Sequence, residues 1–197
     1  MVDGLDRIRA ALEHPNSASS DFDLNPDVVL PSGRKLRHAG VLIALEETPD
    51  GTQVLLTKRS SALKHHPGQI AFPGGSVDPE DSGPVQAALR EAQEEIGLRC
   101  ENVEVIGVLP LHGTVTGFNV TPVIGRVRAA FEPTPEPSEV DEVFSVPLAH
   151  VTDLTRFRVQ SRMWQGVQRY YYTVPYGPYY VWGATARIFR GLAERLV

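Results

Sequence analysis

Four apolar, β-branched runs of strand length set the frame: "AGVLIAL" (Ala39 to Leu45), "QVLLTKR" (Gln53 to Arg59), "VEVIGVLPL" (Val103 to Leu111) and "FNVTPVIGRVRA" (Phe118 to Ala129). Between the second and third lies "GPVQAALREAQEEIG", which has Pro84 in its first turn and ends at Gly97, the punctuation of an α-helix. Strands on either side of a helix predict an α/β arrangement, a mixed sheet with helices on its faces. "EETPDGT" reads as the hairpin turn joining the first two strands. Further helices are expected at "VPLAHVTDL", at "WGATARIFRGLAERL" and, amphipathic, at the N-terminal "MVDGLDRIRAALEHP"; a second hairpin is expected over 156–174. The polar stretch 13–27 and the proline-rich "FEPTPEPSE" (131–139) read as loops. Residues 1–35 form an N-terminal helix and loop of the same domain, and 36–197 its body.

Composition narrows the class. A chain of 197 residues with 42% hydrophobic and 22% charged residues fits one ordinary globular domain. No run approaches the ~20 apolar residues of a membrane span, and the N-terminus mixes acids and arginines unlike a secretory signal. Cys100 is the only cysteine, so no intrachain disulfide can form and the cytoplasm is the expected compartment. Its expected role is that of a half-buried residue after a helix. The net charge of −5 argues against a broad nucleic-acid footprint.

Chemistry concentrates on the central helix. Glu91, Glu94 and Glu95 gather on one side while Leu89, Ala92 and Ile96 can face the core. Each like-charged pair costs roughly 0.2 to 0.5 kcal/mol on an exposed helix. Arg90, four residues before Glu94, compensates one glutamate. A solvated acidic face is the plain alternative. Its neighbourhood favours a cation, however. "FPGGS" supplies Gly74 and Gly75 for close backbone approach, and "VDPED" adds Asp78, Glu80 and Asp81. Carboxylates converging with a backbone carbonyl suit Mg²⁺ or Mn²⁺, which are commonly shared with substrate phosphates. Such a cation would turn repulsion into affinity and would serve hydrolysis of a phosphoanhydride.

Phe72 to Leu98 resembles the Nudix box, Gly-x5-Glu-x7-Arg-Glu-Uaa-x-Glu-Glu-x-Gly-Uaa, in which Uaa is a bulky aliphatic residue. Arg90, Glu91, Glu94, Glu95, Gly97 and Leu98 match, and Ala92 is smaller than usual. The interval from Gly75 to Arg90 is one residue longer than the general pattern, so either Asp81 or Glu80 stands for the first glutamate. The resemblance implies a Nudix-type α/β/α sandwich and a pyrophosphohydrolase that cleaves a nucleoside diphosphate linked to another group. It makes Arg90, Glu91, Glu94 and Glu95 catalytic, with Arg90 holding the glutamates. Glu91 and Glu95 become metal ligands with the Gly75 carbonyl, and Glu94 a further metal ligand or the group that deprotonates water; which glutamate is the base varies across the family.

Upstream, "LLTKRSSALKHHPGQIAFPGG" carries Lys58, Arg59, Lys64, His65 and His66, a basic cluster suited to several phosphates. The adjacent histidines do not converge as zinc ligands would. The stretch is similar to the signature of the coenzyme A pyrophosphatase subgroup, Leu-Leu-Thr-x-Arg-Ser/Ala-x3-Arg-x3-Gly-x3-Phe-Pro-Gly-Gly. Leu55, Leu56, Thr57, Arg59, Ser60, Gly68, Phe72, Pro73, Gly74 and Gly75 fall in register, and Lys64 replaces an arginine. This implies hydrolysis of coenzyme A or its thioesters to (acyl-)4′-phosphopantetheine and adenosine 3′,5′-bisphosphate. Arg59, Lys64, His65, His66, Phe72 and Gly74 would contact the substrate. The rivals are another nucleoside diphosphate derivative (ADP-ribose, NADH, an oxidised nucleotide) and a non-catalytic nucleotide-binding module. In some Nudix enzymes a loop glutamate acts as base, which brings in Glu139 and Glu142. The aromatics of "VPYGPYYVW" suit adenine stacking, a packed strand end or a subunit interface, so a homodimer is among the expectations. Lone His112 is read as structural.

Overall fold

The structure is a computed structural model that describes residues 4–13, 17–28, 33, 35–164 and 166–197. Its spine is β2 (Arg37–Thr48), which holds the first predicted run and is buried along most of its length. β2 forms an antiparallel hairpin with β3 (Gly51–Arg59) and a parallel pair with β8 (Phe118–Val127), in register from Arg37 opposite Phe118 to Leu45 opposite Arg126. Both faces of a strand in that position are covered, so it reads as a continuous apolar run.

Successive β2 side chains leave on opposite faces. Ile43 and Leu45 enter one core with Leu5, Ile8, Phe189 and Leu192, while Leu42 and Ala44 enter a second with Ala88, Ala92 and Ile96. The first core lies under α1 (Gly4–Glu13) and α4 (Gly183–Ala193), the second under α2 (Pro84–Ile96). The layering is therefore α/β/α with a mixed sheet. Around the spine, β6 (Val103–Val108) pairs with β8, β9 (Val140–Pro147) with β3, and the short β5 (Gly74–Ser76) with β2. β4 (Ile70–Ala71) extends the sheet beside β3, and β1 (Ser19–Ser20) with β7 (His112–Gly113) extends it beside β8. The predicted second hairpin is β10 (Arg158–Trp164) and β11 (Val167–Thr173), a separate two-stranded sheet. The predicted helix at "VPLAHVTDL" is a single turn, α3 (Leu148–Val151).

The sequence reading left β9 unassigned. Asp141 and Glu142 interrupt its apolar pattern, as charges do on a strand with only one neighbour. Within the predicted polar loop 13–27, residues 14–16 lie outside the described residues, and β1 is pinned by His112. That imidazole is fully buried and bridges Ser19 Oγ (2.9 Å) and an Asp21 carboxylate oxygen (3.1 Å), which is the structural role expected of it. Cys100 is half-buried in the turn after α2, as expected. No helix among the described residues is long and apolar enough to cross a membrane.

α2 packs closely on the sheet at Gly40. A Cβ added at Gly40 would lie 1.9 Å from the Pro84 carbonyl oxygen, so only glycine lets the helix start directly over β2. Its other end stops at Gly97, which takes a left-handed φ of 73°. The proline-rich loop crosses that end and satisfies two of its carbonyls: Thr134 N–H donates to Ile96 and Glu136 N–H to Glu95.

Candidate active site

The first three carboxylates of the site come from two elements, not one. Glu91 and Glu95, one turn apart on α2, meet Glu139 from the strapped loop, and one oxygen of each lies within 4.8 Å of the others. Glu139 is held in place by its own backbone: its carbonyl accepts from Ser60 N–H (2.8 Å) and its N–H donates to Glu136 (2.9 Å). Glu94, expected beside them, instead points outward, and its carboxylate binds Arg90 (2.9 Å) with the side chain 58% exposed. The reason is angular. Positions 94 and 95 are about 100° apart on a helix, so when Glu95 turns inward Glu94 cannot follow. Glu142 is drawn away as well, by a hydrogen bond from the Tyr179 hydroxyl.

Glu95 is 3% exposed, and burial is the main reason its carboxyl is pushed up to about 7. The Gly74 N–H, donating to its Oε2 at 3.0 Å, opposes that rise without cancelling it. Burial also pushes the Glu91 carboxyl up. Burial therefore outweighs the neighbouring guanidinium groups, Arg90 at Glu91 and Arg59 near Glu95, and Coulomb repulsion between the two glutamates adds to the cost. A divalent cation held by three carboxylate oxygens would remove both penalties, so the donor set fits the hard cation that the sequence implied. Gly75 belongs to the same cradle: a Cβ there would lie 2.3 Å from a Glu91 oxygen.

Arg90 ties "DPED" to the acid helix. Its guanidinium grips Asp81 through two hydrogen bonds (3.2 and 3.0 Å) and donates to Glu91 (3.0 Å) and the Ser76 carbonyl (3.1 Å). Asp78 approaches to 3.5 Å. The Asp81 side chain is 2% exposed, and the guanidinium holds its carboxyl below the usual range. Asp81 thus anchors Arg90, and neither it nor the exposed Glu80 is part of the three-carboxylate group.

Beside this group opens a cavity of about 700 Å³ lined by Gly74, Gly75 and Ser76, the first of which binds Glu95 through its N–H, while the three glutamates themselves are not among the lining residues. Of the predicted substrate residues, Arg59, His65, His66, Phe72 and Gly74 line it, and Lys64 does not. Arg59 emerges where β3 and β9 slip register, and it lies close enough to Glu95 to oppose the rise of its carboxyl. The loop that follows is tied shut by Gly68 N–H to the Arg59 carbonyl and Arg59 N–H to that of Gln69, both 3.0 Å. Within it His66 takes φ 56°, the left-handed conformation that no other non-glycine adopts among the described residues. Burial, then the charge of Arg59, keeps its imidazole below the ordinary value. Phe72 also serves the core, edge-on to Phe189 at 4.7 Å between centroids.

Sequence reasoning missed the far wall. Arg162, Trp164 and Arg169 of the β10–β11 hairpin line the cavity, with Arg37 and Phe118 at another side. The signal lay in alternation: Arg162 and Trp164 are two apart on one strand and so share a face. Of the aromatics in 174–182, Trp182 lines the cavity, whereas Tyr179 stacks on Phe144 (3.6 Å) and Tyr176 meets His150.

With that geometry established, comparison with known proteins decides the family. The NUDIX domain model matches residues 36–170. The chain belongs to the Nudix family. It is 45% identical over 162 residues to "Uncharacterized Nudix hydrolase NudL" of Enterobacter sp. (strain 638), covering 81% of this chain and 83% of that protein. The protein of the same name from Salmonella heidelberg (strain SL476) is 40% identical over 192 residues, covering 98% of each. Among solved structures, the Nudix hydrolase RenU of M. smegmatis aligns with a TM-score of 0.51 at 28% identity, over 60% of this chain and 75% of that one. The NUDIX domain of Shewanella oneidensis NrtR, crystallised with ADP ribose, aligns at 0.52 and 16% identity over 90% and 97%, which supports the fold alone. The protein is a Nudix hydrolase, and the family generally uses divalent metal ions.

Proposed function

We propose that this Nudix hydrolase cleaves the pyrophosphate of coenzyme A or its thioesters in the cytoplasm. The observation that carries the reading is the pairing of the carboxylate group with a cavity whose near wall is built from the signature stretch: Arg59, His65, His66, Phe72 and Gly74 all line it. A cavity of about 700 Å³ is of the size that holds a large ligand. The reaction adds water oxygen to one phosphorus and breaks the bridging P–O bond. It yields (acyl-)4′-phosphopantetheine, adenosine 3′,5′-bisphosphate and a proton.

Each group then has a task. Glu91, Glu95 and Glu139 would hold Mg²⁺ or Mn²⁺, with the Gly75 carbonyl as a further candidate ligand. When bound, the cation neutralises phosphate charge and acidifies water. Arg90, anchored on Asp81, holds the Glu91 carboxylate in place. Arg59 meets phosphate oxygens as a fork, and neutral His66 can accept or donate a hydrogen bond beside it. Lys64 has no part in this assignment. A glutamate of the group takes the proton from the attacking water.

Incubation with Mg²⁺ or Mn²⁺ and a panel of coenzyme A, acyl thioesters, ADP-ribose, NADH and 8-oxo-dGTP tests the substrate. The highest kcat/KM should fall on a coenzyme A species; a clear preference for any other would overturn the reading. Release of two phosphomonoesters separates an enzyme from a binding module.

A further inference from the structure

The hairpin repeats, with the sign reversed, the electrostatic problem of the acid helix. Arg162 on β10 and Arg169 on β11 stand directly opposite each other in the antiparallel register, where like charges destabilise the pair. Both line the cavity. Neither has a carboxylate partner among the described residues, and Arg169 Nε is buried without any hydrogen-bond partner. The acids nearby are already engaged. Asp23 binds Arg187 at 2.7 Å, and Asp21 is taken by His112 and by the Val115 N–H.

Aromatic rings hold the two guanidinium groups in place. Both lie 5.7 Å from the centroid of Trp164; Arg162 also covers Trp182 at 4.4 Å, and Arg169 faces Phe22 at 5.5 Å. A guanidinium stacked on a ring keeps its N–H edge free for an anion. A fold that sets two unpaired cations together and fixes their planes is prepared for a dianion, since a phosphomonoester offers oxygens for two forks.

Resting on the function proposed above, we infer that Arg162 and Arg169 form a second anion site. It takes a phosphomonoester on the ribose of the substrate's nucleoside, separate from the pyrophosphate that meets the carboxylate group. The site would make the enzyme select nucleotides that carry this additional phosphate. A 3′-phosphate and a 2′-phosphate share the chemistry, and the experiment distinguishes them.

Calorimetric titration of the full chain in EDTA with AMP, adenosine 3′,5′-bisphosphate and adenosine 2′,5′-bisphosphate reads the site without turnover. One bisphosphate should bind at least about tenfold tighter than AMP, the gain expected of a charge-assisted fork. The tighter isomer identifies the phosphate position. In Arg162→Gln/Arg169→Gln its affinity should fall to that of AMP. Arg162→Gln alone, a change at an exposed residue that leaves the half-buried Arg169 in place, should lose part of the preference and serves if the double variant is unfolded. Equal affinity for AMP and both bisphosphates in the wild type would overturn the inference, as would a preference that survives in these variants. Failure of coenzyme A hydrolysis alongside an intact, arginine-dependent preference would overturn the substrate reading and leave the anion site standing.

Discussion

Glu95 shows how a catalytic residue can cost stability. Its carboxyl sits at about 7 in the folded protein against an ordinary 4.5, so folding favours the protonated form. The neutral carboxyl's contribution is therefore complete below pH 4.5 and is lost as pH rises through about 7. That displacement corresponds to at most about 3 kcal/mol. Glu95→Gln keeps an acceptor for the Gly74 N–H and removes the charge. In EDTA at pH 8 this variant should melt above the wild type, and the difference should close at pH 4. Turnover should vanish, and Mg²⁺ should raise the melting temperature of the wild type but not of the variant. A variant with near-normal activity would refute the metal assignment. Arg90 supports the opposite expectation. Arg90→Lys keeps one charge but cannot span Asp81, Glu91 and the Ser76 carbonyl together, so kcat should fall by roughly 10- to 100-fold. Steady-state kinetics with saturating metal separates this from a loss of metal affinity.

At the scale of elements, the site depends on how closely α2 lies on β2. Gly40→Ala would drive a methyl into the Pro84 carbonyl oxygen, which is backbone and cannot rotate away. We expect a loss of about 1 to 3 kcal/mol in urea unfolding, the range typical of overpacking, with catalysis weakened because Glu91 and Glu95 ride on the displaced helix. Gly75→Ala makes a sharper comparison. Its methyl meets a carboxylate, which can swing, so activity should fall well before stability does. Circular dichroism melts and kcat measured on the same two proteins check the contrast.

Across the whole molecule, an acidic chain of net charge −5 has a cavity lined by Arg59, Arg162 and Arg169, none of which has a carboxylate partner among the described residues, and on the proposed function these meet the substrate's phosphates. Raising ionic strength from 0.05 to 0.5 M should shorten the reach of that attraction. We expect KM for a coenzyme A substrate to rise several-fold while kcat changes little, since the three carboxylates act on one another and on a bound cation at short range, where salt screens least. Initial rates over a KCl series, at constant free Mg²⁺, measure it. A KM indifferent to salt would mean that the arginines do not meet the phosphates.

The sequence by itself determined the local and the adjacent. The β2 and β3 runs, the helix between Pro84 and Gly97, and the pairing of glutamates one turn apart were legible, because helix and strand periods and glycine punctuation act over a few residues. The stretch from Leu55 to Gly75 likewise held five expected substrate residues that line the cavity, Arg59, Phe72 and Gly74 from the signature and His65 and His66 from the basic cluster. The tertiary structure alone decided what distance in sequence concealed. Glu139 enters the carboxylate group because the proline-rich loop caps the far end of α2. Glu94 leaves it because one helix cannot turn three glutamates the same way, and Asp81 becomes the anchor of Arg90 because the turn before α2 folds back onto the helix. Arg162 and Arg169 reach the same cavity from a hairpin about seventy residues beyond the box. No local period could announce that meeting, since burial of two cores on one sheet, and not any short-range preference, brings those walls face to face.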